Sequence, residues 1–170
     1  MPITRRSLLE LMSSSTFFLT VAPGNVLTAE LPAQLSPLDF PQGVASGDPQ
    51  PEAVMLWTRA VPTTGSGNDI RLLLQISTDS NFATLLLQEE VHTNAGSDYT
   101  VRAYIDGLAP DTQYFYRFLG ANESVSRSGR TRTAPTAGQA RRVNLAFASC
   151  QNYEQAYYGS WARMLEEDRT

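Results

Sequence analysis

The sequence predicts a mainly β protein, in which a β-sandwich is followed by the first strand, loop and helix of an incomplete α/β domain. Between residues 39 and 135, short apolar or alternating segments are separated by clusters of Gly, Pro, Asn and Asp, a spacing typical of sandwich strands. After residue 142, an apolar run is followed by aromatic and aliphatic residues at helical spacing. The 170 residues are 42% hydrophobic, which is enough to bury a core.

Composition excludes several classes of function. The formal net charge of -4 argues against a broad nucleic-acid or anionic-membrane surface, which needs net positive charge. The chain has one Cys, Cys150, and one His, His92. It therefore has neither an internal disulfide nor a Cys-rich zinc cluster, and a metal centre would need ligands from outside this chain or an unusual carboxylate and tyrosinate set.

Residues 1–29 resemble a twin-arginine export signal. Arg5 and Arg6 follow a Thr and stand two positions before a pair of Leu, and the weakly apolar stretch that follows is too short and too polar to span a membrane stably. We expect Arg5 and Arg6 to contact the twin-arginine export machinery, with cleavage after Ala29 and delivery to the periplasm or the medium. The alternative is an amphipathic N-terminal helix of the mature protein. Residues 30–38, which contain two Pro, predict a linker.

The sandwich domain is expected over residues 39–135. Trp57 is the expected core aromatic on an early strand. The third predicted strand, residues 84–91, could also be a helix, because three Leu are followed there by Gln-Glu-Glu. The predicted strands cover residues 53–59, 70–77, 84–91, 99–105, 112–118 and 124–133.

A local motif makes the sandwich more specific. Residues 108–117, Leu-Ala-Pro-Asp-Thr-Gln-Tyr-Phe-Tyr-Arg, resemble the turn into the sixth strand of a fibronectin type III or Ig-like module. In such modules a Tyr hydroxyl bonds back to the backbone and pins the corner. We assign that role to Tyr114, because a buried Tyr must satisfy its hydroxyl group.

Two sets of polar residues allow more than one interpretation. Arg127, Arg130 and Arg132, with Arg141 and Arg142 nearby, could form an anion site. A solvated edge strand explains them better, because charge discourages edge-to-edge pairing. His92 precedes a turn and is interpreted as a surface residue, because the chain has no second His to share a metal with it.

The last part of the chain predicts a βα unit. Residues 136–141 are small and polar and predict a second linker. Residues 143–148 predict a strand, and Asn152 with Gln155 could form a capping box at the start of a helix. The apolar stripe of that helix comprises Tyr157, Tyr158, Trp161, Met164 and Leu165.

Cys150 is the candidate for chemistry in this unit. It follows the predicted strand and precedes the helix, at the edge of α/β sheets where ligands and catalytic groups gather. A nearby helix N-terminus would favour the thiolate, so that Cys150 is a candidate metal ligand or nucleophile. The alternative is a buried structural Cys.

Three motifs together resemble the alkaline phosphatase D family, also called PhoD-like metallophosphatases. The first two motifs, residues 40–49 (FPQGVASGDP) and 54–59 (VMLWTR), are similar to the opening of those proteins. The third, residues 147–151 (FASCQ) with the aromatic helix that follows, is similar to the start of their metallophosphoesterase domain. The resemblance covers residues 39–168, so residues 142–170 would be the beginning of that domain.

The resemblance implies an exported phosphomonoesterase or phosphodiesterase with iron and calcium at its centre. Cys150 corresponds to an iron ligand of the family. No other metal ligand, catalytic residue or substrate-binding residue is carried over, so we expect this chain alone to be inactive. Two alternatives remain open. One is an exported fibronectin-like binding or adhesion module without catalysis, and the other is a purple acid phosphatase-like enzyme, which the FASCQ motif disfavours.

Overall fold

The structure is a computed structural model that describes residues 35–65, 69–139, 142, 145–149, 152, 154 and 157–167. The chain divides into two compact units, residues 1–137 and residues 138–170, and each is described by itself. The division falls inside 136–141, the segment that the sequence suggests as a linker.

The described part of the first unit is built from short antiparallel strands in chain order. The strands are β1 (Leu38–Asp39), β2 (Val44–Gly47), β3 (Val54–Arg59), β4 (Val61–Pro62), β5 (Ile70–Ser77), β6 (Leu85–Thr93), β7 (Thr100–Ile105), β8 (Gln113–Leu119) and β9 (Gly129–Arg132). A single 3₁₀ turn, Ala95–Ser97, separates β6 from β7.

Two antiparallel sheets form a sandwich. One sheet has three strands in the order β2-β3-β7, and the other has four in the order β6-β5-β8-β9. Strands β1 and β4 form a separate short ladder. The predicted sandwich is therefore confirmed. Its core is one cluster of buried side chains from both sheets: Leu38, Val54, Leu56, Ala60, Ile70, Leu72, Leu74, Ile76, Val101, Ala103, Ile105, Leu108, Tyr114, Tyr116 and Phe118.

Strand β3 shows how alternation selects the core. Val54, Leu56 and Thr58 are buried, whereas the residues between them are half-buried. Trp57 therefore lies on the outer face, and its expected place in the core is wrong. The physical reason is the two-residue period of a strand, because Val54 and Leu56 already occupy the inward positions.

Strand β5 is buried on both faces, which explains its run of three Leu. Leu72 and Leu74 belong to the main core, and Leu73 packs on the other face against Leu35 and Leu119. The N–H of Ser36 also donates to the carbonyl oxygen of Arg71, at 3.2 Å. The described end of the predicted linker, residues 35–38, is therefore part of the sandwich.

The structure resolves the ambiguous strand and shortens the last one. Segment 85–93 is a strand paired with β5, so its helical alternative is wrong. Strand β9 is shorter than the predicted 124–133, and only residues 129–132 form a ladder with β8. Before β9, Ser126 takes over the pairing: its N–H donates to the carbonyl oxygen of Phe118, and its hydroxyl accepts from the N–H of Phe118, both at 2.9 Å.

The predicted tyrosine corner is present. Tyr114 is 2% exposed, and its hydroxyl oxygen accepts a hydrogen bond of 2.8 Å from the N–H of Ala109. A second hydrogen bond stabilises the same corner: the Thr133 hydroxyl donates to the carbonyl oxygen of Ala109 at 2.7 Å. The turn between β7 and β8 is thus fixed by side chains where it has no ladder bonds.

The side of the sandwich where β2 and β9 lie is closed by Tyr116. Its ring meets Phe118 edge-on with the centroids 6.3 Å apart, and its hydroxyl bonds to the Ser46 side chain of the opposite sheet. Burial raises the pKa of Tyr116, and the Ser46 hydrogen bond opposes that rise. Gly129 lies against this ring: a Cβ at Gly129 would stand 2.3 Å from the Tyr116 Cζ.

In the second unit, the described residues include one helix, α1 (Gly159–Glu167). Tyr158 precedes it, and its carbonyl oxygen accepts from the N–H of Trp161 at 3.0 Å. Gln155 of the predicted capping box lies outside the described residues. The Asn152 carboxamide oxygen accepts from the N–H of Glu154 at 2.9 Å, and the helix begins later, at Gly159. Residues 145–149 form no strand among the described residues, in contrast to the prediction for 143–148. A strand needs a neighbour for its ladder, and the described residues provide none there.

Replacing Gly129 with Ala should lower the free energy of unfolding by about 3 kcal/mol, because the added methyl group overlaps the Tyr116 ring. Urea unfolding followed by circular dichroism measures the change. Gly47→Ala is the matched control: Gly47 also lies in a strand, and its Cβ would meet no atom within 4 Å. Equal stability of the two variants would contradict the packing described for Tyr116.

Removing the Tyr114 hydroxyl in Tyr114→Phe should cost about 1 kcal/mol of stability, because the ring stays buried while the bond to Ala109 is lost. Tyr104→Phe, on the half-buried outer face of β7, should change stability by less than half of that amount. Thermal unfolding of both variants provides the comparison, and an unchanged midpoint for Tyr114→Phe would show that the corner bond contributes nothing.

Candidate functional site

The candidate metal ligand, Cys150, lies outside the described residues. Among the residues that the structure does describe, no group of three or more His, Cys, Asp or Glu side chains could hold a metal ion. A metal centre would therefore need ligands other than the described residues alone.

His92 is exposed, as predicted, and belongs to a surface ion network. Its Nδ1 lies 2.9 Å from Asp69 Oδ1, and its Nε2 lies 3.1 Å from Glu90 Oε1. Arg71 joins the same two carboxylates at 3.2 and 3.6 Å. Hydrogen bonds from His92 and then Arg71 lower the pKa of Asp69. Because these groups are solvated, the network is a weak contributor to stability and not a catalytic arrangement.

The Arg residues lie along the edge strand β9 and the segment before it. Arg127, Arg130 and Arg132 are all exposed. Arg132 forms an ion pair with Asp111: its Nε lies 3.0 Å from Asp111 Oδ1, and its Nη2 donates to the Asp111 carbonyl oxygen at 2.9 Å. This geometry agrees with a charged edge strand, the interpretation favoured from the sequence. Arg141 lies outside the described residues, and Arg142 is exposed.

A cleft opens between β6 and β7, the edge strands of the two sheets on one side of the sandwich. Its volume is about 470 Å³, within the usual range for ligand pockets. At one end the strands are joined, because the Thr93 hydroxyl donates to the carbonyl oxygen of Thr100 at 2.9 Å. The lining residues are Met55, Glu89, Glu90, Val91, His92, Val101, Arg102, Ala103, Tyr104 and Ile105.

Glu89 is the unusual residue of this cleft, and the sequence interpretation missed it. It is half-buried on the inward-facing row of β6, between Leu87 and Val91. Burial raises the pKa of Glu89, and the negative charge of Asp106 raises it further. Its carboxylate has no hydrogen bond or ion pair to a described residue. Once segment 85–93 is taken as a strand, its two-residue period would have revealed this position.

Comparison with known proteins decides the family. The sequence model of the family described as the PhoD-like phosphatase, N-terminal domain, matches residues 20–135 of this chain. The chain belongs to the PhoD-like phosphatase family. Alkaline phosphatase D from Bacillus subtilis (strain 168) is 34% identical over 134 residues, a match that covers 75% of this chain and 23% of that protein.

A solved structure supports the same family. The structure of PhoD matches with a TM-score of 0.64 and 32% identity, covering 77% of this chain and 26% of that one. The chain thus spans about a quarter of the length of either relative. Within the described residues of this PhoD-like chain, no helix has the length and apolar character to cross a membrane.

The raised pKa of Glu89 gives a pH-dependent stability. Because the folded state holds the proton more tightly than the unfolded state, the contribution of Glu89 is present below its ordinary pKa of 4.5 and is lost as pH rises through the raised value. Glu89→Gln should therefore match wild type in acid and become the more stable protein as pH rises through that range. Urea midpoints across pH measure the difference.

Glu123→Gln is the control for this experiment, because Glu123 lies on an exposed turn. Subtracting its profile removes the general effect of losing one negative charge. A Glu89→Gln difference that does not change with pH would contradict the placement of Glu89 in the cleft.

Proposed function

We propose that this chain is the N-terminal part of an exported phosphoester hydrolase of the alkaline phosphatase D type. The observation that carries the proposal is the 34% identity with alkaline phosphatase D over most of this chain. The substrate class is a phosphate ester, as a monoester or a diester. The sandwich would be a scaffold, because folds of this kind host many functions and the activity resides in the site added to them.

The catalytic chemistry is assigned to the segment that begins after residue 141 and to residues beyond this chain. Trp161 and Leu165 are 51% and 61% exposed on α1, while Arg163 pairs on the other face with Glu166 at 3.0 Å and with Glu167 at 2.8 Å. An amphipathic helix with its apolar face uncovered by the described residues suits a segment that packs within a larger domain. This supports the enzyme over a self-contained binding module.

Within that enzyme, we assign Cys150 as a ligand of iron, with calcium as the second metal. A thiolate is a soft ligand that suits iron, whereas calcium takes oxygen ligands. Cys150, with ligands beyond the described residues, would hold such a centre, and the centre would supply Lewis-acid chemistry at the phosphate ester. The support for this assignment is the FASCQ motif, because Cys150 itself lies outside the described residues.

The 170-residue chain should hydrolyse neither p-nitrophenyl phosphate nor bis-p-nitrophenyl phosphate, whereas a longer chain that includes the whole phosphatase domain should hydrolyse at least one. In the longer chain, Cys150→Ser should lower kcat at least about a hundredfold and reduce bound iron, because a ligand is lost. Ser149→Ala, at the adjacent exposed position, is the control. Metal-dependent turnover by the 170-residue chain, or unchanged iron in Cys150→Ser, would contradict the assignment.

Export is tested by replacing both Arg of the signal. The double variant Arg5→Lys, Arg6→Lys should retain the protein in the cytoplasm, because the twin-arginine route reads this pair. Cell fractionation and immunoblotting measure the location. Arg127→Lys with Arg130→Lys, two exposed positions of the sandwich, should leave export unchanged. Equal export of both double variants would remove the twin-arginine assignment.

A further inference from the structure

Strand β6 is an edge strand among the described strands. It is the outermost strand of the four-stranded sheet, and among the described strands it pairs with β5 alone. At nine residues, Leu85–Thr93, it is also the longest strand of the sandwich. A long edge strand offers a row of unpaired N–H and C=O groups to any other strand, which is a general route to aggregation.

The side chains of β6 favour pairing of this edge with another strand. Its inward row reads Leu85, Leu87, Glu89, Val91 and Thr93. Leu86, on the outward row, is 55% exposed. Apart from Glu89, the inward row is apolar or β-branched, which is the composition that favours pairing with another strand.

Glu89 interrupts this row at its centre. The carboxylate is half-buried next to the negative charge of Asp106 and gains no cationic partner among the described residues. For the single chain this position is unfavourable, because burial disfavours the charged form without a compensating ion pair. An inward-pointing charge on an edge strand does, however, block the addition of a further strand.

We propose that Glu89 guards the β6 edge against pairing with the same strand of a second copy of this chain. Antiparallel pairing that uses all nine residues places Leu85 opposite Thr93, Leu87 opposite Val91, and Glu89 opposite Glu89. Two like charges directly opposite each other destabilise such a pair. Shifting the register by two residues places Glu89 opposite Leu87 or Val91, which buries the carboxylate against an apolar side chain. A shift by one residue would place the inward row of one copy on the outward face of the other copy's sheet.

The test is the self-association of the full chain, measured by sedimentation velocity at neutral pH. Glu89→Val should associate at least about tenfold more tightly than wild type, with residues 85–93 gaining protection from hydrogen exchange in the associated form. Glu90→Val is the matched control. It removes the same charge and adds the same side chain at the adjacent position, but on the outward face of β6.

A second variant keeps the test decisive if Glu89→Val precipitates. Glu89→Thr removes the charge with little added apolar surface, and it should also associate more tightly than wild type. The inference is overturned if both Glu89 variants remain as monomeric as wild type. It is equally overturned if Glu90→Val associates as strongly as Glu89→Val, because general loss of charge would then be the cause.

Discussion

The contact between Tyr116 and Gly129 is the constraint on which the closed side of the sandwich depends. Tyr116 lies on β8, in the middle of the four-stranded sheet, and its hydroxyl reaches Ser46 on the opposite sheet. The ring can lie there because residue 129 has no side chain: a Cβ would overlap the ring. One buried aromatic residue thereby joins strands from both sheets, with the polar group of Tyr116 satisfied.

The opposite side of the sandwich is more open. There β6 and β7 diverge from the Thr93–Thr100 bond into a cleft. Glu89 lies half-buried on the inward row of β6 in this cleft. The two sides thus differ: an aromatic ring is packed on one, and a cleft with a half-buried carboxylate opens on the other.

Much of this architecture could be predicted from the sequence, because strands with one wet face carry a two-residue period. Segment 99–105 shows this, and the Leu-Ala-Pro motif located the Tyr114 corner. Trp57 was misplaced because its size suggested burial, whereas the inward positions of β3 belong to Val54 and Leu56. Strand β2, Val-Ala-Ser-Gly, has no period of its own and forms by pairing with β3. The part of the candidate site around Cys150 depends on neighbours that the described residues do not supply, so local pattern alone could not position it.

All residues of the main core cluster lie in the first unit, so the sandwich should unfold as one cooperative unit. Amide hydrogen exchange of the full 170-residue chain tests this most directly. The account predicts that β3, β5, β7 and β8 exchange slowly and together, at the rate of global unfolding, while the amides of α1 exchange much faster because its residues are not buried. Fast exchange in the four core strands, at the rate seen for α1, would contradict it.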